Sequence, residues 1–124
     1  MQDWTYVGTA DFGANPGVSL TGYTFNEVLV VATATDFPIY FTFSAQTQLL
    51  LNSASMEFYW IPELGEVQLA QSFKHRNYYD HLLITVLFNS SSVRTYKVRK
   101  VNRSTGATTN YNTASHGHID VYCR

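Results

Sequence analysis

Three residues near the end of the sequence, His116, His118 and Asp120, have the types and spacing of metal ligands. In an extended strand, alternate residues share a face and lie about 6.6 to 6.8 Å apart along it. The imidazoles of a His-x-His pair can converge on one ion, and a threefold axis would multiply the available nitrogens. Gly117 loosens the pair, however, and a histidine beside a polar loop is ordinarily solvated. The second interpretation is favoured, so neither a metal nor any other cofactor is expected.

Five of the eight basic residues lie within ten positions of one another: Arg94, Lys97, Arg99, Lys100 and Arg103. Nucleic-acid binding by such a strand calls for aromatic side chains between the charges, and only Tyr96 is available. The cluster is interpreted first as charge that protects a sheet edge, and second as a contact to another subunit or an anionic glycan. Nucleic acid is not an expected partner.

Two polar segments combine aromatic and amide side chains, as sugar-binding sites do. These candidate ligand-binding residues are Asn77, Tyr78, Tyr79, Asn110, Tyr111 and Asn112. The second group lies in residues 102–115, a polar stretch without apolar periodicity that predicts a functional or mobile loop. The alternative is that both groups are ordinary turn and packing residues.

Motifs of catalysis are missing from the sequence. It contains no Gly-x-Ser-x-Gly elbow, no phosphate-binding glycine loop and no His-Glu-x-x-His pair. The single cysteine, Cys123, shares the apolar phase of its strand with Ile119 and Val121, which predicts a core residue and not a nucleophile. A non-enzymatic protein is therefore expected.

The elements that position these residues are predicted to be strands. Residues 25–34 (FNEVLVVATA) are rich in valine and apolar on both faces from Val28 to Ala32, which predicts a buried central strand. Residues 78–88 predict a second strand of this kind, and residues 39–43 predict a core strand. Residues 93–101 place charge on both faces and suit a sheet edge. Residues 56–61 and 66–73, joined by a Pro-Glu-Leu-Gly turn, predict a hairpin.

Nine or ten short strands without helical periodicity predict an all-β protein, folded as an antiparallel β-sandwich of jelly-roll-like type. The 124 residues, of which 45% are hydrophobic, suit one domain over residues 1–124. No apolar stretch is long enough to span a bilayer, so membrane insertion is not expected.

Charge divides the sequence into two halves. Residues 1–73 carry seven acids and no base, and the remainder carries eight bases and two acids, so the halves are −7 and +6. One interpretation is a mixed surface on which opposite charges meet within the monomer. The other is a head-to-tail contact between the acidic face of one subunit and the basic face of the next.

Four segments resemble, in the same order, small domains of tail fibre, baseplate and other minor structural proteins of bacteriophages and prophages. They are the opening WTYVGTA, the glycine-rich turn before VSL, the strand FNEVLVV and the closing HIDVYCR. The pattern spans the chain, with its specific residues near the two ends. Cys123 stands where the pattern has tyrosine, a departure expected to change packing more than role.

The resemblance implies a trimeric all-β module in a virion tail or appendage, soluble and assembled in the host cytoplasm. Its implied partners are two further copies of the chain, other virion tail proteins and host cell-surface carbohydrate. No catalytic residues carry over, because the shared motifs are structural. The alternatives are a free-standing carbohydrate-binding domain and, least favoured, a glycan-degrading enzyme with carboxylates from distant strands.

Overall fold

The computed structural model describes residues 3–44, 47–77 and 79–124, with the backbone alone at 40–44 and 47–50. Alternation of apolar and polar residues makes almost every element a strand. The strands are β1 (Thr5–Asp11), β2 (Val18–Ser19), β3 (Val28–Ala34), β4 (Ile39–Ser44), β5 (Thr47–Leu51), β6 (Ala54–Trp60), β7 (Val67–Lys74), β8 (Asp80–Phe88), β9 (Ser92–Asn102), β10 (Thr108–Asn110) and β11 (Gly117–Cys123). The all-β prediction is confirmed.

The strands form two main antiparallel sheets. Sheet A has the order β1-β11-β3-β6, and sheet B has the order β10-β9-β8-β7, with β2 also paired to β9. Strands β4 and β5 form a separate pair. In sheet A the last strand lies between the first and the third, which gives the sandwich its jelly-roll-like character, whereas β7, β8 and β9 form a simple meander.

One hydrophobic core joins the two sheets. Trp60 of β6 stacks on Phe88 of β8, with ring centroids 5.6 Å apart and planes at 19°. The cluster also contains Val30 and Val121 from sheet A and Ile84 from sheet B, all fully buried. Such interdigitation of inner faces is the packing expected of a β-sandwich.

Cys123 is a core residue, as predicted, because only 2% of it is exposed. Burial raises the pKa of its thiol, which lowers the thiolate fraction at neutral pH.

The two strands predicted to be central are central, since β3 lies between β11 and β6 and β8 lies between β9 and β7. On β3, Leu29 points to the outer face and is buried, as are the residues that point inward. The outer face of β8 is more open, with Leu83 38% exposed. The predicted core strand over residues 39–43 corresponds to β4, but the side chains of Phe41 and Phe43 lie outside the described part of the chain.

The predicted hairpin of residues 56–61 and 66–73 is wrong. Strand β6 pairs with β3 in sheet A, whereas β7 pairs with β8 in sheet B. A 3-10 turn at Pro62–Leu64, closed by Gly65 at φ 70°, carries the chain from one sheet to the other. A tight turn between two alternating strands therefore marks a crossing between layers here.

The edge position predicted for residues 93–101 is also wrong. Strand β9 has β8 on one side, and short strands β2 and β10 pair with the two ends of its other side. The segment 102–115, predicted as a continuous loop, contributes β10 to this pairing. Because β2 and β10 are so short, the middle of β9 has no neighbouring strand on that side among the described residues.

Charge is separated between the two outer faces. The strand registers place Asp11, Glu57 and Asp120 outward on sheet A. They place Lys74, Arg94, Lys97 and Arg99 outward on sheet B. One outer face of the sandwich is therefore acidic and the other basic, although Asp120 of the acidic face comes from the basic half of the sequence.

None of the described residues forms a helix with the length and apolar character that a membrane crossing requires.

Gly117 allows β11 to pack under the loop that follows β1. A Cβ atom at this position would collide with the Thr33 carbonyl oxygen and with the ring of Phe12. We expect Gly117→Ala to lower the free energy of unfolding by roughly 1–3 kcal/mol, as overpacking does. Gly8→Ala is the matched control, because its Cβ would meet only Val18 Cγ1, at 3.2 Å. If urea unfolding shows that both variants lose the same free energy of unfolding, close packing at Gly117 is not the reason for its loss.

Candidate functional site

A β-bulge in β9 decides the direction of its basic side chains. Thr85 pairs with Lys97 and Val86 pairs with Thr95, so Tyr96 has no partner on β8. An extra residue of this kind shifts the alternation of a strand by one position. Arg94, Tyr96, Lys97 and Arg99 consequently share the outer face of sheet B.

Charge does fall on both phases of this strand, but regular alternation groups the cations wrongly: it pairs Arg94 with Lys100, whereas the bulge places Arg94 with Lys97 and Arg99. Among the basic residues within β9, Lys100 alone follows the inner phase, opposite the buried Leu82. Its Nζ lies 5.8 Å from the ring centre of Tyr111.

The bulge is held by Thr95, the one buried polar residue in the described part of the chain. The Gly13 amide donates a hydrogen bond of 2.9 Å to Thr95 Oγ1. The hydroxyl in turn donates to Asn112 Oδ1 at 2.6 Å. The side-chain nitrogen Nδ2 of Asn112 lies 3.4 Å from the backbone carbonyl oxygens of both Thr95 and Tyr96. One hydroxyl therefore ties β9 to the loops that follow β1 and β10.

Gly13 makes this approach possible. Its φ is 82°, and an added Cβ would overlap the backbone carbonyl of Asn112. The glycine-rich turn of the sequence thus serves as a close contact between two loops at the bulge.

An open groove of about 530 Å³ lies between β9 and the chain around β10. Asn110 is the register partner of Arg99, and Thr108 is the partner of Val101. We call this feature the basic groove, defined by its lining residues Tyr96, Lys97, Val98, Arg99, Thr108, Asn110 and Asn112. It brings together residues from two predicted groups, the basic cluster and the Asn-Tyr-Asn segment.

The groove is electropositive. None of the described residues that line it carries a carboxylate. The Tyr96 ring lies between two cations, with Arg94 Cζ 5.4 Å and Lys97 Nζ 5.5 Å from its centre. Cations at this distance interact with the electron-rich face of the ring, which orients them beside the groove.

The amides of the predicted ligand-binding residues mostly hold the loops themselves. Asn77 Oδ1 accepts hydrogen bonds from the backbone amides of Tyr79 and Asp80, at 2.9 and 3.1 Å. Asn110 Oδ1 accepts from the Asn112 amide at 2.9 Å. These are turns closed by a side chain, the ordinary structural use of asparagine in loops.

Tyr79 is 61% exposed, and its carbonyl accepts a hydrogen bond of 2.7 Å from the backbone amide of Arg103. Asn77 and Tyr79 lie on the β7–β8 loop and do not line the basic groove. Neither does Arg103. The candidate Tyr78 lies outside the described residues.

Tyr111 is not in the groove either, although its neighbours on both sides are. Its ring stacks on His116, with centroids 3.7 Å apart and planes at 8°. Burial raises the pKa of the Tyr111 hydroxyl, and the carboxylates of Asp36 and Asp80 raise it further. This tyrosine is a packing residue at the end of the sandwich.

The three metal candidates do not form one set of ligands, because His116 pairs with Asp36 and His118 faces Asp120. His116 Nδ1 lies 2.7 Å from Asp36 Oδ2, whereas His118 Nε2 lies 3.6 Å from Asp120 Oδ2. Over residues 3–44, 47–77 and 79–124 there is no group of three metal-ligating side chains that could hold an ion.

The same end of the sandwich contains a histidine that the sequence did not single out. The His75 ring packs edge-on against Phe37, with ring centroids 5.1 Å apart. Its Nδ1 accepts a hydrogen bond of 3.1 Å from the backbone amide of Asn77. Burial lowers the pKa of His75, and the nearby cations Lys100 and Arg76 lower it further, against the opposing effect of Asp80. The lowered pKa favours the neutral imidazole, which packs against Phe37.

Comparisons with known proteins do not assign the groove. No family model matches the chain, and no curated protein or solved structure matches it at a significant level. The function has to be argued from the geometry and charge of the site.

The role of Thr95 can be tested by removing its hydroxyl. Thr95→Val keeps the volume but leaves the Gly13 amide and Asn112 Oδ1 without their buried partner. We expect a loss of roughly 1–3 kcal/mol in the free energy of unfolding, the cost of unsatisfied polar groups. Thr95→Ser keeps the hydroxyl and should lose less free energy of unfolding than Thr95→Val. Chemical denaturation that ranks the two variants in the opposite order would show that the hydroxyl does not hold the bulge.

Proposed function

We propose that the protein is a non-enzymatic recognition module that binds an anionic glycan in the basic groove. The observation that carries this proposal is the composition of the lining, in which Lys97 and Arg99 stand beside Tyr96, Asn110 and Asn112 without a carboxylate. Each of these groups matches one feature of an acidic sugar.

The cations match the charge of the ligand. An arginine guanidinium can bind a carboxylate or sulfate through two parallel hydrogen bonds, and a lysine ammonium acts as a point charge. Lys97 and Arg99 are both exposed, so the ligand would displace water and not another protein group. Their attraction to the ligand is expected to weaken as salt increases.

The uncharged lining matches the sugar ring. The Asn110 amide NH₂ has no partner among the described residues and can donate to a sugar hydroxyl, since only its oxygen is used by the loop. Tyr96 offers an aromatic surface next to the cations. Nucleic acid is less suited to this lining, because successive bases need several stacking platforms and Tyr96 is the one aromatic residue among the described residues that line the groove.

The resemblance to phage tail domains suggests where the module is located and how it assembles. We place the module in a virion tail appendage, as a homotrimer that contacts other tail proteins and binds carbohydrate on the host cell surface. A free-standing carbohydrate-binding domain would use the same groove without this assembly. Light scattering separates the two, because a trimer has three times the 14.1 kDa mass of one chain.

A glycan-binding experiment tests the groove directly. A panel of carboxylated, sulfated and phosphorylated oligosaccharides is screened, and the best ligand is titrated by calorimetry. We expect Lys97→Ala and Arg99→Ala each to weaken binding by about tenfold, the effect of losing roughly 1.4 kcal/mol from a charge-assisted hydrogen bond.

Lys74→Ala is the matched control, because Lys74 lies on the same outer face but does not line the groove. Its affinity should stay within about twofold of wild type. An equal loss in all three variants would indicate nonspecific attraction to a basic surface. Tighter binding of a single-stranded oligonucleotide than of any anionic glycan would replace the proposal with nucleic-acid recognition.

A further inference from the structure

The outer face of sheet A carries a row of large side chains that crosses all of its strands. The register places Tyr6 opposite Tyr122, Tyr122 opposite Leu29, and Leu29 opposite Tyr59. We call these four residues the aromatic row. Tyr6 is 54% and Tyr59 is 56% exposed. With strands about 4.8 Å apart, the row is roughly 14 Å long.

The rings of the aromatic row are held in place by their neighbours. Tyr6 and Tyr122 meet edge to face, with centroids 5.6 Å apart and planes at 60°. The Tyr6 hydroxyl lies 2.5 Å from Thr9 Oγ1, and the Tyr59 hydroxyl donates to Glu57 Oε2 at 3.1 Å. Exposed rings that are already oriented lose little conformational freedom when a ligand binds.

Carboxylates form the next row of the same face. The register places Thr9, Asp120, Val31 and Glu57 side by side across the strands. One step of this kind along a strand is about 6.6 to 6.8 Å. The Thr9 hydroxyl donates a hydrogen bond of 2.5 Å to Asp120 Oδ1. The carboxylates of Asp120 and Glu57 can each accept further hydrogen bonds.

We propose that the aromatic row binds a neutral glycan chain, at a site separate from the basic groove. The apolar C–H faces of the sugar rings would lie on Tyr6, Tyr59 and Tyr122. Sugar hydroxyls would donate to Asp120 and Glu57, as hydroxyl donors do to ionised carboxylates. Because the row crosses four strands, it suits an extended chain and not a single monosaccharide.

Charge selects a neutral ligand over an anionic one. Asp11, Asp120 and Glu57 all point outward from this face. Arg124 pairs with Glu27 and lies 4.1 Å from the centre of the Trp4 ring, and His118 of the same face lies 3.6 Å from Asp120. An acidic sugar would meet net repulsion here, whereas it meets attraction in the basic groove.

A second copy of the chain is a poorer occupant of this surface. A flat contact between sheet faces would bury the carboxylates of Asp120 and Glu57. The basic residues that could neutralise them lie on the strands of sheet B that flank β8, with Arg94, Lys97 and Arg99 on β9 and Lys74 on β7. The central strand of that sheet presents Leu83, Thr85 and Leu87 outward. Carboxylates pressed against apolar side chains would lose hydration without gaining partners.

The test uses neutral polysaccharides as probes. Affinity electrophoresis in gels that contain a β-glucan, a mannan, a galactan or a chitin derivative identifies the ligand, and its hexasaccharide is then titrated by calorimetry. We expect Tyr6→Ala and Tyr59→Ala each to weaken binding at least tenfold, and Tyr59→Phe to keep most of it. Glu57→Gln should weaken binding about threefold, because a neutral amide accepts a weaker hydrogen bond.

Tyr23→Ala is the matched control, since Tyr23 is 40% exposed but lies on the β2–β3 connection, away from the aromatic row. It should bind as wild type does. The proposal is overturned if no neutral polysaccharide retards the wild-type protein, or if the Tyr23 variant loses as much affinity as the others. A fall in light-scattering mass of the Tyr6 and Tyr59 variants, without a change in glycan binding, would identify the row as a self-association surface and overturn it too.

Discussion

The buried hydroxyl of Thr95 is the constraint on which the arrangement of this molecule depends. It accepts from Gly13 and donates to Asn112, so three separate segments meet at one atom. A hydrogen bond contributes only about 1 kcal/mol net, but leaving its partners buried and unsatisfied costs about 1–3 kcal/mol. Moving the bulge away from this hydroxyl would therefore cost more free energy than the net contribution of its hydrogen bonds alone.

The bulge beside Thr95 places Arg94, Lys97 and Arg99 of β9 on one face of sheet B. Without the bulge, with Tyr96 as a regular strand residue, alternation would send Lys97 and Arg99 to the face opposite Arg94. With it, all three point outward on sheet B, next to the asparagines of the β10 segment. The two outer faces of the sandwich then differ in charge, and their different chemistry supports two different ligand classes.

Features that depend on regular alternation could be predicted from the sequence. Val28 and Val30 of β3 and Cys123 of β11 follow the two-residue period, and all three are buried as expected. The bulge could not be predicted, because an inserted residue has no periodic signal and Tyr96 fits either face. The adjacent pair Tyr96-Lys97 on the basic strand is the only hint of it.

Turn and loop chemistry was ambiguous for a different reason. The Pro62–Leu64 turn suits a hairpin as well as a crossing between sheets, and only the partners of β6 and β7 distinguish them. Likewise, an asparagine amide that could bind a sugar can equally close its own loop, as Asn77 does. The aromatic row was not predicted at all, because its members come from four strands that are distant in the sequence.

The most direct test of the account is an amide NMR titration of isotope-labelled protein with an anionic oligosaccharide. We expect the largest chemical-shift changes at Tyr96, Lys97, Arg99 and Asn110, which surround the basic groove. The amides of Val31 and Asp120 on sheet A should stay unchanged and serve as the internal reference. Changes centred on sheet A, or on the loop of Asn77 and Tyr79, would contradict the claim that the bulge in β9 builds the anion-binding site.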